Sequence, residues 1–443
     1  MALFDRSALN PGVARREVAA WALYDFANSG YTTVVLTAVF SAYFVGVVAA
    51  QASWATLAWT LALALSNLAV MLTMPAIGER ADRHGTKKPL LALATLGCVL
   101  STAALFWCGA GDLALAVVLI VVSNYCYSMG ETLCGAFLPE LARPASIGKV
   151  SGWGWSFGYF GGMLALGLSL GYVIVARGRG ETAAQFVPVT MLITAAIYAV
   201  AALPTFLLLK ERARASGPAR VDPMASDPGT SIVRLLAALS RTRSYPDFRR
   251  FLWTGFAYQA GISVVVALAA IYAEQAMGFT QTDTMMLIFL VNIAAALGAF
   301  TFGYVQDRVG HKAALALTLY GWIGMVLLAG LGESRALFWA AATVAGLCMG
   351  SSQSAGRALV GVFAPSARLA EFFGLWALST RAAAIVGPLT YGLVNWVTDG
   401  NHRLAILITG LFFVAGLLLL ARVDVHRGTT LGATPTPTPA EAG

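Results

Sequence analysis

Long apolar runs recur along nearly the whole chain, and they constrain its fold more than any other feature. Each run has about 20 residues or more, enough for one helix to cross the roughly 30 Å hydrocarbon core of a bilayer. Only 11% of the 443 residues are charged, against about 25% in soluble globular domains. The sequence therefore predicts an all-α membrane protein with twelve transmembrane segments. These segments span residues 21–48, 54–77, 88–108, 113–138, 150–176, 187–209, 249–275, 283–305, 312–332, 336–363, 372–397 and 403–421.

Lysine and arginine residues are distributed unequally between the two sides of the predicted membrane. The side that holds the N-terminus carries 23 of the 29, the opposite side carries four, and two lie inside apolar segments. By the positive-inside rule, both termini are expected in the cytoplasm. The net charge of +8 is explained by this topology and gives no support to nucleic-acid binding.

A short sequence pattern occurs twice, at an offset of 225 residues. After segment 2 the chain reads GERADRHGTKK, and after segment 8 it reads GYVQDRVGHK. The shared positions are Gly78, Asp82, Arg83, Gly85 and Lys87 in the first copy, and Gly303, Asp307, Arg308, Gly310 and Lys312 in the second. A generic charged turn would explain the basic residues but not their repeated order. We expect a cytoplasmic gating loop in each of two six-helix halves related by duplication, as in major facilitator transporters.

The repeat divides the chain into four parts. Residues 1–209 are expected to form an N-terminal six-helix bundle, and residues 249–424 a C-terminal six-helix bundle in the same major facilitator fold. Residues 210–248 are polar and rich in glycine, proline and serine, which indicates a cytoplasmic linker. Within it, apolar residues between 232 and 239 have the spacing of a short amphipathic helix. Residues 425–443 are low in complexity, and we expect a disordered tail.

Polar residues inside the apolar segments concentrate in segments 1, 4, 7 and 10. In the fold suggested by the repeat, these four helices line the central cavity; this placement is an analogy of fold. We interpret the polar residues as candidates for binding substrate or protons. They are Tyr24, Asp25, Asn28, Asn124, Tyr127, Glu131, Tyr258, Gln259, Gln353 and Arg357.

Three charged residues of this set lie at similar depth, within about 6 to 11 Å of the predicted cytoplasmic boundary. A charge near the bilayer centre costs at least about 2.5 to 3.5 kcal/mol, which favours pairing. We expect Glu131 and Arg357 to close a cytoplasmic gate, and Asp25 to bind substrate or a proton. The alternative is that these residues only hold helices together or reach the interface. Arg381, in segment 11, is expected to pair with the first cytoplasmic loop or to serve function directly.

Several classes of protein are disfavoured by the sequence. Residues 154–158 match the GxSxG pattern of serine hydrolases, but they lie in a transmembrane glycine-rich helix without a histidine partner. Glycines at four-residue spacing in this segment instead predict close helix packing. The sequence contains no metal-ligand cluster, Walker loop or dinucleotide fingerprint. We therefore expect no enzyme activity, no metal, no cofactor and no direct use of ATP.

With these residues in view, the chain resembles the vacuolar amino-acid effluxer family of autophagy and its bacterial relatives, a branch of the major facilitator superfamily. The resemblance extends from about residue 18 to residue 421. It rests on Trp21, Tyr24, Asp25, Ala27, Asn28, Ser29, Tyr31, Leu138-Pro139, Ser151-Gly152, Gly158-Tyr159, Gly161-Gly162, Gln353, Arg357, Phe372-Phe373-Gly374 and Gly387-Pro388. The family implies amino-acid export from the fungal vacuole, and its bacterial members mostly lack an assigned substrate.

Two departures from the family pattern bear on function. Relatives usually carry Tyr-Asn-Asp-Gly in segment 7, where this chain has Tyr258, Gln259, Ala260 and Gly261 without the acid. The arginine of segment 10 is commonly flanked by serines, whereas Arg357 lies between glycine and alanine. The resemblance therefore does not determine the substrate or the coupling ion of this chain.

The sequence as a whole predicts a monomeric secondary transporter in the cytoplasmic (inner) membrane of a bacterium, in contact with membrane lipid and working by alternating access. The expected substrate is a small solute such as an amino acid, moved with protons. A zwitterion would place its carboxylate on Arg357 and its ammonium on Asp25 or Glu131, between Tyr24 and Tyr258. The alternatives are an exporter of hydrophobic drugs or lipids, and a membrane sensor or scaffold without transport.

Overall fold

A computed structural model describes residues 4–50, 55–212, 240, 242–275, 277–279, 281–332, 334–398 and 401–433. Twelve long helices account for most of these residues. They are α1 (Arg15–Tyr31), α2 (Ala55–His84), α3 (Lys87–Ala104), α4 (Leu113–Gly135), α5 (Ile147–Gly178), α6 (Ala183–Leu208), α7 (Pro246–Gln275), α8 (Gln281–Val309), α9 (His311–Leu331), α10 (Arg335–Phe363), α11 (Leu369–Val397) and α12 (His402–Ala421). Each predicted segment coincides with one of them, so the all-α, twelve-helix expectation is confirmed.

Shorter elements extend or connect these helices. The path of α1 continues through wider helical turns at Thr32–Ala38 and Phe44–Val48, which flank a turn of α-helix at Phe40–Tyr43. Single helical turns lie at Arg6–Ala8, Leu105–Trp107, Leu138–Leu141, Pro144–Ser146, Thr242–Ser244 and Ser366–Arg368. A last helix, α13, spans Val425–Ala433.

Ten of the helical stretches among the described residues are long and apolar enough to cross a membrane. The two long helices outside this set are α7 and α10. Both carry polar side chains at membrane depth, including Gln259 in α7 and Arg357 in α10. This lower apolarity is the physical signature of a helix that faces a polar space instead of lipid on one side.

Both described ends of the chain lie at one end of the helix bundle, called the terminal side below. Just after α6, Arg212 pairs with Glu17 near the start of α1 at 2.8 Å. In α13, Arg427 pairs with Asp247 at the start of α7 at 2.6 Å. The terminal side is the one that the positive-inside rule predicts to be cytoplasmic.

The first half of the chain, α1–α6, contacts the second half, α7–α12, mainly through two helix pairs, α5 with α8 and α2 with α11. Glycines permit the close approach. A Cβ at Gly152 of α5 would lie 2.4 Å from the carbonyl oxygen of Ala299 in α8, and one at Gly78 of α2 would lie 2.3 Å from that of Ala370 in α11. These distances are too short for any side chain, so both contacts require glycine.

Three predicted boundaries are corrected by the structure. The repeated pattern was expected as a loop, but α2 continues to His84 and α8 to Val309, so most of each copy is helical. Only Gly85 and Gly310, at φ +61° and +89°, make the turns themselves. Residues 425–433 of the expected disordered tail form α13. The predicted amphipathic helix at 232–239 lies outside the described residues.

Candidate functional site

A buried ion pair joins the two halves at the level of α1, α5 and α10. The Arg357 Nη1 donates to Asp25 Oδ2 at 2.6 Å, and both side chains are about nine-tenths buried. Two further N–H groups of Arg357 donate to α5: Nε to the Ser151 hydroxyl at 3.3 Å and Nη2 to the Ser151 carbonyl at 3.0 Å. Charge-assisted bonds from the second half to two helices of the first half make this contact a specific one.

Aromatic rings enclose the same guanidinium on two sides. The Arg357 Cζ lies 4.9 Å from the ring centroid of Trp21 in α1 and 5.1 Å from that of Trp155 in α5. Such cation–π contacts stabilise a desolvated arginine by about 0.5–2 kcal/mol each. A Cβ at Gly154 would lie 2.4 Å from Asp25 Oδ2 and 2.7 Å from Arg357 Nη2. The glycine therefore leaves just the space that the ion pair fills.

A second ion pair joins α4 of the first half to α11 of the second. The Arg381 Nη2 lies 2.7 Å from Glu131 Oε2, and its Cζ lies 5.7 Å from the ring centroid of Tyr127. This pair is more accessible than the first, with 34% of the Glu131 side chain and 19% of the Arg381 side chain exposed.

The accessible part of Glu131 faces the interior of the molecule. Val122 is 42% exposed on the outer surface of α4, and Glu131 follows it by nine residues, or two and a half helical turns. The two side chains therefore project from opposite sides of α4. Because Arg381 comes from the other half, this partly exposed pair lies where the two halves meet.

The predicted gate between Glu131 and Arg357 is wrong, because each residue has a different partner. Arg357 pairs with Asp25, and Glu131 pairs with Arg381. The expected pairing of Arg381 with the first cytoplasmic loop is also wrong. Depth along a helix axis can be read from a sequence, whereas the direction of a side chain around that axis relative to other helices cannot.

Tyr24 and Asn28 lie inside the first half, not at the wall of a binding site. Tyr24, fully buried, is hydrogen-bonded to Thr95 at 2.9 Å. The Tyr198 hydroxyl donates to Asn28 Oδ1 at 2.5 Å. These bonds tie α1 to α3 and α6, so the expected role of Tyr24 as a wall for substrate is corrected.

The predicted polar face of α4 divides between two environments. Asn124 donates to the Ser66 hydroxyl of α2 at 3.0 Å and is buried. Tyr127 stacks on Tyr31 with ring centroids 5.3 Å apart, beside the Glu131–Arg381 pair. Only Tyr127 and Glu131 of this face therefore reach the accessible ion pair.

In the second half, the side chains of Gln259 and Gln353 pair with each other. Gln259 Nε2 donates to Gln353 Oε1 at 2.8 Å, and the reciprocal bond is 3.3 Å long. Tyr258 is fully buried, with its ring centroid 6.3 Å from that of Trp376. Tyr258 therefore packs inside its half, which corrects its expected role as a wall.

The aspartates of the repeated motif cap helices of the opposite half. Asp82 Oδ2 accepts the backbone N–H of Glu371 in the first turn of α11 at 3.0 Å. Asp307 accepts the N–H groups of Gly148 and Lys149 in the first turn of α5, both at 3.0 Å. Carboxylates are favourable at helix N-termini, so each cap holds the halves together on the terminal side.

The basic residues of the motif have different surroundings in its two copies. Lys87 is fully buried and pairs with Glu140. Lys312 donates to the carbonyl oxygens of Ala421 and Val423 at 3.0 and 2.6 Å. Arg83 and Arg308 are exposed, and Arg83 pairs with Glu79 one turn earlier.

Sequence reasoning missed Ser151, Trp155 and the partnership of Arg381. The signal for the first two was the run SGWGW at the start of α5, whose glycines were assigned to helix packing in general. In this run Trp155 follows Ser151 by four residues, so both lie on one face of the helix. A tryptophan ring on such a face can contact a cation. That signal identifies no partner, which only the structure supplies.

Comparisons of the sequence agree on one family. A family model described as "Vacuole effluxer Atg22 like" matches residues 40–432. The MFS-type transporter YxiO of Bacillus subtilis is 26% identical over 424 residues, which cover 93% of this chain and 95% of that protein. Autophagy-related protein 22-1 of Penicillium rubens is 25% identical over 303 residues, 63% of this chain. The match spans 50% of that fungal relative's length.

Two solved structures of transporters have the same fold as this chain. The human organic anion transporter MFSD10 superposes with a TM-score of 0.72 at 16% identity, covering 92% of this chain and 99% of that one. The Escherichia coli fucose:proton symporter FucP gives a TM-score of 0.69 at 16% identity, covering 92% and 98%. At this identity the likeness establishes the major facilitator fold alone.

Proposed function

Since the chain belongs to the vacuole effluxer Atg22-like family of major facilitator transporters, we propose that it carries a small zwitterionic solute, such as an amino acid, coupled to protons. The protein is a secondary transporter. The observation that carries the proposal on substrate is the accessible Glu131–Arg381 ion pair between the two halves.

A zwitterion has the charges needed to enter this pair. Its carboxylate would bind the Arg381 guanidinium, whose planar donors match a carboxylate, and its ammonium would bind Glu131. Accessible ion pairs contribute only about 0–1 kcal/mol, so their separation by a ligand is a small loss. Tyr127, beside Arg381, would contact the side chain of the solute.

The buried pair supports proton coupling by a different route. Arg357 is enclosed by Trp21 and Trp155, its side chain is about nine-tenths buried, and three of its five N–H groups already donate to Asp25 and Ser151, so a solute has little access to it. A proton on Asp25 would remove the counter-ion and leave a buried guanidinium charge, a costly arrangement that favours separation of the halves. Glu131, on α4, is a second carboxylate whose charge acts on Asp25.

The function is tested with the purified full chain in proteoliposomes. Zwitterionic amino acids, hydrophobic cations and fluorescent lipids are offered with and without an imposed pH gradient. We expect saturable flux of an amino acid that changes when the gradient is abolished. Flux of hydrophobic compounds alone would contradict the substrate class, flux indifferent to the gradient would contradict proton coupling, and the absence of any flux would contradict transport.

A further inference from the structure

A basic cavity of about 650 Å³ lies on the terminal side of the second half, away from both inter-half ion pairs. It is formed where α7 and α9 begin, where α12 ends, and where the chain turns into α13. Four cations and one acid contribute to its lining: Arg250, Lys312, Arg422, Arg427 and Asp424. Its net charge is therefore strongly positive.

Asp247, fully buried beneath this cavity, holds two of the cations in place. It accepts hydrogen bonds from Arg427 Nε and Nη2 at 2.6 and 2.7 Å, from Arg250 Nη1 at 3.1 Å, and from the N–H of Asp424 at 3.0 Å. Both guanidiniums keep further N–H donors, and about half of each side chain is exposed. The two arginines are thus fixed at one end and available at the other.

The remaining cations are also available to an anion. Lys312 donates hydrogen bonds to the carbonyl oxygens of Ala421 and Val423, which leaves the third of its ammonium protons for another acceptor. Arg422, at the end of α12, is exposed. The acid in the lining, Asp424, accepts the N–H of Arg427 through its Oδ1 at 3.0 Å. Cations outnumber this acid, and the buried Asp247 offsets only one of them.

The equivalent place in the first half is occupied by a carboxylate of the chain itself. Glu211, which follows α6, accepts the N–H groups of Lys87 and Lys88 at 2.9 and 3.2 Å. Arg212 beside it pairs with Glu17 in the same way that Arg427 pairs with Asp247. In the first half, therefore, a carboxylate of the chain binds the start of α3 at this corner.

The corresponding corner of the second half is arranged differently among its described residues. The acid that follows α12, Asp424, accepts the N–H of Arg427, and Lys312, the counterpart of Lys87, donates to carbonyls instead of a carboxylate. The cations of this corner therefore line a cavity in which Asp424 is the one acid among the described lining residues.

Apolar side chains continue from this cavity into the membrane-spanning surface. Trp253 lies about one turn after Arg250 in α7 and is 61% exposed, and Leu418 lies one turn before Arg422 in α12 and is 64% exposed. Tryptophan is enriched at the level of lipid headgroups. A cation cluster at the boundary, with apolar surface directly beneath, fits a molecule with an anionic head and acyl chains.

We propose that this cavity binds the phosphate of an anionic phospholipid headgroup from the cytoplasmic leaflet. Arg250, Arg422, Arg427 and Lys312 supply the positive charge, and Trp253 and Leu418 contact the acyl chains. The site is separate from the substrate site and stands whatever solute the protein carries.

The test uses the delipidated full-length protein and counts bound lipid by native mass spectrometry. Dioleoyl phosphatidylglycerol, dioleoyl phosphatidylcholine and inorganic phosphate are titrated separately. The R250Q/R422Q variant removes two cavity cations, and the R243Q/R249Q variant removes two exposed cations of the same face outside the cavity. Each cavity cation is worth about 1 kcal/mol toward an anionic lipid, which corresponds to about five-fold in affinity.

We expect phosphatidylglycerol to bind more tightly than phosphatidylcholine, and this preference to fall about 30-fold in R250Q/R422Q, which lacks two cavity cations, while R243Q/R249Q keeps it. Equal losses in both variants would mean a diffuse field and would overturn the site. Equal binding of the two lipids would overturn it as well. Saturable binding of phosphate that competes with the lipid would assign the cavity to a soluble anion instead. If R250Q/R422Q fails to fold, the single R422Q variant, at an exposed side chain, gives the same test.

Discussion

The absence of a side chain at Gly154 allows Arg357 to approach Asp25 closely. Gly154 lies against both charged groups and against Trp21, where a Cβ would be 2.8 Å from the ring. The sequence predicted glycines for packing on α5, and Gly158 and Gly162 do lie against Ser29 of α1 and Thr33 in the turn that follows it. The special role of Gly154 could not be predicted, because it depends on a residue 203 positions away.

The G154A variant is expected to lower thermal stability and amino-acid uptake together. Its methyl group overlaps the ion pair, and overpacking of this kind costs about 1–3 kcal/mol. The matched control is G167A on the same helix, where a Cβ meets nothing within 4 Å. Differential scanning fluorimetry measures both variants, and an unchanged melting temperature in G154A would contradict the close contact.

Removal of one partner of the buried pair is expected to be worse than removal of both. R357Q leaves Asp25 charged and enclosed, at a cost of about 3–5 kcal/mol. The double variant D25N/R357Q has no buried charge and is expected to recover most of the thermal stability. We expect it to remain inactive in proteoliposomes. Wild-type, gradient-dependent flux from the double variant would mean that the pair is structural only.

At the scale of whole elements, the motif repeated 225 residues apart acts through its aspartates as caps. Each aspartate lies at the end of one helix and binds the first turn of a helix in the opposite half. The repeat and its residues were predictable from the sequence, since spacing alone reveals them. Their helical position was not, because glycine and charge are typical of loops until a partner helix stabilises them.

The D307A variant is expected to populate a state that is open on the terminal side. It removes two hydrogen bonds to the start of α5, and loss of a cap costs about 0.5–2 kcal/mol, or roughly two- to thirty-fold in an equilibrium between closed and open states. Spin labels at the exposed positions Ala145 and Ala367, one in each half, report the distance between halves in a background without native cysteines.

The control for this experiment is R308A, which changes the exposed neighbour and leaves both caps intact. We expect a longer distance population in D307A and an unaltered distribution in R308A. A distribution in D307A that matches the parent protein would mean that the cap does not hold the halves together.

At the scale of the whole molecule, the fold was largely predictable from the sequence. Twelve apolar runs of bilayer length leave few alternatives, since lipid requires every backbone group to be bonded within a helix. The division of the chain into two six-helix halves followed from the repeated motif. The site was less predictable: Asp25, Glu131 and Arg357 were chosen as charges at one depth, but Arg357 was assigned to Glu131, and Asp25 to substrate or a proton. The partners in the structure depend on helix rotations that periodicity does not fix across halves.

The two ion pairs between the halves have different roles in the proposed function. The enclosed Asp25–Arg357 pair and the two caps hold the halves together, whereas the accessible Glu131–Arg381 pair offers both charges that a zwitterion needs. In an alternating-access transporter, solute binding at the Glu131–Arg381 pair must bias the equilibrium between open and closed states that the Asp25–Arg357 pair controls. Binding of a zwitterion at the Glu131–Arg381 pair is therefore the central claim of the proposed function.

The most direct test is the affinity of R381Q for the transported amino acid. A hydrogen bond to a charged group contributes about 1.5–3 kcal/mol, so we expect half-saturation at roughly ten- to a hundred-fold higher concentration. R177Q, which removes an exposed arginine at the far end of α5, serves as the matched control and is expected to behave like the parent. Parent-like half-saturation in R381Q would contradict zwitterion binding at the Glu131–Arg381 pair.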